Sequence, residues 1–256
     1  MQLELNINGY LSQVMLMPGE LNEVYKPLLK WISQLRNKQK KSRPTKILLA
    51  GPPGSGKSTI ASVLEKLADQ QKSFSLQALG IDAFHFTNAY LQSNFILHDG
   101  NKVNLYAIKG TPETYDIKSL LKHWHLLDNA GAKWPVYDRT VHEPITGKIV
   151  VNSEVLILEG NWVLLDEPKW RVLSEQSDLT IFLRVEEDQV RERLKSRKKK
   201  GGYNIEEVEA HYIRTDRPNI HRVLNESIPA DLELTFNNES DPAQLIFCKN
   251  QDFDII

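Results

Sequence analysis

Gly51-Pro52-Pro53-Gly54-Ser55-Gly56-Lys57-Ser58-Thr59 stands between an apolar run, Ile47-Leu48-Leu49-Ala50, and an amphipathic one that begins Ile60-Ala61-Ser62-Val63-Leu64. A loop reading G-x-x-x-x-G-K-[ST] between a strand and a helix is a phosphate-binding P-loop. Its glycines let backbone N–H groups turn inward around phosphate oxygens, and the following helix directs the positive end of its dipole at them. The nine residues are therefore expected to cradle a nucleotide. Lys57 supplies a point charge for the β and γ phosphates, and the Ser58 hydroxyl is placed to bind Mg²⁺.

Outward from this loop, short apolar or alternating runs predict strands over 46–50, 75–81, 154–159, 178–185 and 231–236, separated by helix-like segments. That alternation specifies an α/β fold, a parallel sheet with helices on both faces. In such sheets ligands bind beyond the carboxyl ends of the strands, so residues following each strand are the site candidates. Asp82 follows the second strand. It is read either as the carboxylate that takes or orients the hydroxyl proton of an attacking substrate, or as a helix cap. His85 and Asn88, a few residues on, either touch the acceptor or are solvent-exposed or turn-stabilising. Glu159 ends the third strand, where an acid beside a P-loop holds Mg²⁺ or its water; an incidental strand-end acid is the alternative.

Residues 86–153 form a long excursion whose size suits an acceptor site. It carries a predicted helix over 116–129 and the stretch Trp134-Pro135-Val136-Tyr137-Asp138-Arg139, with Ile149-Val150-Val151 as a hairpin partner. Arg139 and His142 hint at an anionic acceptor, or pair with Asp138 or Glu143. His123 and His125 have no nearby cysteine or acidic partner and are read as surface or core-edge residues. After the fourth strand, the basic tract of 187–203, with Gly201-Gly202 as a hinge, reads as a lid whose Arg193 and Arg197 share one helix face and neutralise charge on the triphosphate. A solvated basic helix end is the bland alternative.

Residues 1–16 predict a hairpin turning at Asn8-Gly9, and 20–38 an amphipathic helix; the lysine-rich run from Arg36 to Pro44 links them to the core. The division expected is an N-terminal appendage over 1–44, with homodimerisation as one role for it, and a kinase-like domain over 45–256. Charged residues make up 25% of the 256 and the formal net charge is −1, which speaks against a general nucleic-acid binder. Cys248 is the single cysteine, so an internal disulfide is excluded. With no apolar run long enough to span a membrane and no signal sequence, a cytoplasmic protein is expected.

The assembled motifs resemble those of the uridine kinase, phosphoribulokinase and bacterial pantothenate kinase group of P-loop kinases, and within it the YggC-like bacterial proteins. The resemblance rests on Gly51–Thr59, Ile81-Asp82-Ala83-Phe84-His85, Lys109–Asp116 (KGTPETYD), Pro135–Arg139, Glu159-Gly160-Asn161-Trp162, the lid arginines and Arg214–Asn219. It implies ATP as phosphoryl donor, Mg²⁺, a small hydroxyl-bearing acceptor, and Asp82 as base. Tyr137 and Asn219 match segments that contribute to the acceptor pocket in pantothenate kinases. Asp138-Arg139 stands where those enzymes tend to have Ser-His, so the resemblance carries the reaction class rather than the substrate: nucleoside, sugar and pantothenate-like acid all remain. An acceptor-independent ATPase and a nucleotide-binding regulatory protein are the rival readings.

Overall fold

The computed structural model describes residues 1–7, 9–39, 43–98, 100–129, 131–237 and 243–248. In chain order, β1 (Gln2–Ile7) and β2 (Tyr10–Met15) form an antiparallel hairpin, and a π-helical turn at Glu20–Tyr25 leads into α1 (Lys26–Lys38). Then β3 (Thr45–Ala50) runs through the P-loop into α2 (Lys57–Gln71), and β4 (Leu76–Gly80) follows. The excursion holds α3 (Asn88–Ser93), a hairpin of β5 (Phe95–His98) and β6 (Asn101–Asn104), α4 (Ile117–Leu126), and a second hairpin of β7 (Ala132–Asp138) and β8 (Glu143–Val151). After it come β9 (Val155–Gly160), α5 (Pro168–Glu175), β10 (Leu179–Leu183), α6 (Glu187–Lys200), α7 (Ile205–His211), α8 (Arg217–Glu226), β11 (Leu232–Asn237) and β12 (Gln244–Phe247).

The main sheet has the order β12-β11-β10-β3-β9-β4. Its five parallel strands are those predicted from the apolar runs, and β12 adds an antiparallel edge that the sequence reading did not contain. Central β3 is buried at every position because helices cover both faces. Ile47 and Leu49 enter one core, with α2 and α6; Leu48 and Ala50 enter the other, with α4, α5 and four tryptophans, Trp124, Trp134, Trp162 and Trp170. Leu3, Leu5 and Leu16 of the N-terminal hairpin, with Leu28, Leu29 and Ile32 of α1, belong to the first core. The hairpin is thereby clamped beside α2.

Two backbone details position the site. Gly56 has φ 105°, a left-handed conformation that turns the loop into α2 and that a side chain would strain. A Cβ on Gly160 would lie 2.3 Å from Ile81, so glycine is needed for the chain leaving β4 to cross the end of β9. That crossing brings Asp82 to Glu159. In the β7–β8 hairpin the register shifts at Pro135, which has no N–H to give to the ladder. Among the described residues no helix is long and apolar enough to cross a membrane.

Candidate active site

The P-loop opens on a cavity of about 520 Å³ whose walls include Gly54, Gly56, Lys57, Ser58 and Thr59. Gly51 lies deeper, with Leu183 O so close that a Cβ would sit 2.6 Å from it. Ser55 is fully buried, its N–H closing on Pro52 O at 3.2 Å. Lys57 Nζ donates to Pro52 O at 2.9 Å and to Asn161 Oδ1 at 2.8 Å. Burial lowers the lysine to about 8, against the raising influence of Glu159 and Asp82. Ser58 donates to Glu159 Oε1 at 2.7 Å, and burial pushes the Glu159 carboxyl up, opposed chiefly by Lys57. A hydroxyl and a buried, under-compensated carboxylate held together in this way fit a divalent cation, which would relieve the burial.

Arg193 and Arg197 enter from α6, and both line the same cavity. Arg193 reaches Ser55 O at 3.4 Å and lies over the Phe236 ring at 5.2 Å. Val190 and Leu194 on the same helix are buried in the first core, and Leu194 packs on Gly54. The basic tract expected to form a lid is therefore anchored along one side, with its arginines over the phosphate cradle.

On the other side of Asp82 lies a second cavity of about 510 Å³, toward α2, β4 and β7. The two cavities share Tyr10, Ser58, Asp82, Arg139 and Glu159 as walls. Asp82 accepts from Arg139 Nη2 at 3.0 Å and from the Tyr115 hydroxyl at 3.3 Å. Burial works to raise its pKa, yet His85, Arg139, Lys57 and the Tyr115 bond together hold it below the usual carboxylate range. His85 Nδ1 donates to the Asp82 carbonyl at 2.9 Å and its ring stacks against Tyr115, centroids 3.9 Å apart. Burial lowers the imidazole more than Asp82 raises it. Tyr137 walls the second cavity, its phenol pushed up to about 12 by burial first and then by Asp82.

Sequence and structure comparisons identify the family. The AAA domain family matches residues 47–214. YggC of Escherichia coli (strain K12) is 37% identical, over 93% of this chain and 97% of its own. This chain belongs to the YggC-like group of P-loop kinases. "Putative uridine kinase C227.14" of Schizosaccharomyces pombe is 30% identical over 66% of this chain and 72% of its own. A solved "putative fructose transport system kinase" from Silicibacter sp. TM1040 superposes with TM-score 0.73 at 29% identity, covering 82% of this chain and 98% of that one.

Within this YggC-like kinase, Lys57, Ser58, Asp82, Tyr137, Arg139, Glu159, Arg193 and Arg197 all reach the joined cavities. Asn219, expected to contact the acceptor, is instead buried in α8 beside Gly110, whose added Cβ would meet its Nδ2 at 3.8 Å. Neither it nor His85, the other buried residue expected to touch the acceptor, lines either cavity. Arg139, read as an anion binder or a partner of Asp138 or Glu143, is paired with Asp82. By analogy with the resembled kinases an adenine contact belongs near Asn237 to Asp241 and in the lid; residues 238–241 lie outside the described residues. His123 Nδ1 is 2.8 Å from Ser119 O and its ring packs on Phe84, while His125 is exposed, with the Asp128 carboxylate 3.7 Å away, an acidic neighbour the sequence reading did not find. Sequence reasoning missed Asn161, Tyr115 and Tyr10 as site residues. Asn161 stood two places after Glu159 at a strand end, a usable signal. Tyr115 lay inside the KGTPETYD motif with no role assigned to it, and Tyr10 carried no signal because its position depends on packing.

Proposed function

We propose that this kinase transfers the γ-phosphoryl group of Mg·ATP to a hydroxyl of a small metabolite. The observation that carries the reading is the shared wall: Asp82 stands between a phosphate cradle and a second cavity large enough for a metabolite. Ser58 and Glu159 would hold the cation, which would supply charge neutralisation at the phosphates. Lys57 exchanges the Pro52 carbonyl and Asn161 for phosphate oxygens. Arg193 and Arg197 add charge from α6. Asp82 accepts the acceptor's hydroxyl proton and orients its oxygen on the γ-phosphorus. The new O–P bond forms as the bond to the β-phosphate oxygen breaks, and ADP leaves. A carboxylate held this low is a weak base, which suits a loose transition state in which the proton is lost late and positioning dominates.

The test is ADP release by the full chain with Mg²⁺ and ATP, with and without a pool of sugars, nucleosides, polyols and vitamin precursors. Acceptor-dependent release that falls about 100-fold or more in Asp82→Asn, with binding of the analogue AMP-PNP kept, supports the reading. Equal release with and without the pool would establish the ATPase instead.

A further inference from the structure

The second cavity has an end that phosphate chemistry does not use. Beyond Asp82 its wall passes to α2, to the open edge of β4 and to the tip of the N-terminal hairpin, which supplies Asn6, Gly9 and Tyr10. This hairpin lies outside the matched AAA domain, and outside the P-loop core in sequence. The side chains offered there are the Glu65 carboxyl, the Ser62 hydroxyl, the Asn6 amide and the Tyr10 and Tyr137 rings. Asn6 Oδ1 accepts the Gly9 N–H at 3.0 Å, which shapes the tip, and Tyr10 remains 60% exposed. Among the described residues, Arg139 is the one cation in the wall, and Asp82 already occupies it.

An acceptor bearing a carboxylate or phosphate away from its reacting hydroxyl would shed hydration here and meet no cation in return. Glu65 sharpens this. Burial pushes its carboxyl up, opposed by a bond from the Ala78 backbone. Ionised, it repels an anion; protonated, it still bonds a hydroxyl. A site built from carboxyl, hydroxyl, amide and aromatic faces reads hydroxyl groups on a ring or chain.

We infer, resting on the kinase reading above, that the N-terminal hairpin completes the acceptor site and that this site takes an uncharged, hydroxyl-rich molecule, with Glu65 as the residue that turns anions away. The acceptor class is then free sugars, polyols or nucleosides, and not sugar phosphates or hydroxy acids.

Binding is measured by saturation-transfer NMR on the full chain loaded with Mg²⁺ and AMP-PNP. D-fructose, D-ribose, glycerol and uridine form one set; fructose 6-phosphate, D-glycerate and pantothenate form the other. At least one uncharged compound is expected to bind, and none of the anions. Glu65→Arg should weaken that compound about tenfold and admit an anion, while Glu65→Gln, which keeps the hydrogen bonds, should stay within about threefold. Tyr10→Ala should weaken it about tenfold. Binding of the anionic set alone, or of neither set, overturns the inference, and an unchanged affinity in Tyr10→Ala removes the hairpin from the site. Because binding needs no turnover, the two failures are distinguishable: sugars that bind without being phosphorylated count against the kinase reading and leave the hairpin as part of a binding site for uncharged hydroxyl compounds.

Discussion

Lys46 and Lys57 lie at opposite ends of the central strand and its loop, and both are buried, at 1% and 6% exposure. Lys46, near the start of β3, pairs with Asp128 at 2.7 Å, donates to Trp124 O at 2.7 Å and sits over the Trp124 ring. It ties the end of α4 to the sheet. Among the described residues Lys57, at the carboxyl end, hydrogen-bonds to neutral oxygens, those of Pro52, Asn161 and, at 3.5 Å, Ser55, with the Glu159 and Asp82 charges acting from beyond bonding distance. Burying a cation is costly unless a full partner offsets it. The lysine with its partner ties the fold together, and on the proposed function the one held by neutral acceptors is the one that meets the ligand's phosphates.

The sharpest break of this comparison is a pair of substitutions. Lys57→Ala should lower kcat about 1,000-fold, read by ADP release, while urea unfolding stays near wild type. Lys46→Met should do the reverse. Turnover per folded molecule stays unchanged, and unfolding loses about 2 kcal/mol, less than a fully buried pair would cost because Asp128 is partly open to solvent. A large loss of turnover in Lys46→Met with full stability would erase the distinction.

A smaller effect separates the two lysines by pH. Lys57 in the free protein titrates at about 8, and a triphosphate favours its charged form. Affinity for Mg·AMP-PNP should therefore fall as pH rises through about 8, with uptake approaching one proton per site at pH ~9 and almost none at ~6.5. Calorimetry in two buffers of different ionisation enthalpy reads this, and Lys57→Ala should abolish it. The same depressed pKa acts on stability in the other direction. Between about 8 and 10.5 the unfolded chain holds more protons at this position, so Lys57 makes stability rise with pH in that window.

Much of the fold was legible because burial on both faces writes parallel strands as unbroken apolar runs, and all five appear within a residue or two of their expected bounds. The elements that escaped lack that imprint. The β5–β6 hairpin leaves Phe95 and Leu97 exposed, so it reads as a long connection. Strand β12 is four residues long and is held in part by Glu20, whose Oε1 accepts the Leu245 N–H from 225 residues away. The predicted helix over 20–38 is real in extent, but its first turn is π-helical.

The site divides along the same line. The P-loop, Asp82 and Glu159 could be named from the chain alone because their chemistry depends on neighbours in sequence: glycines before a helix, an acid after a strand. Arg139 against Asp82, Asn219 turned away beside Gly110, and Tyr10 at the roof of both cavities depend on partners 57, 109 and some 50 or more residues distant, as read from their numbering. Sequence by itself determined the fold class and the phosphate end of the reaction, since short-range backbone geometry and dipoles suffice for both. Only the tertiary structure decided which charges are already paired and which wall the acceptor meets, because those follow from side chains that packing alone brings together.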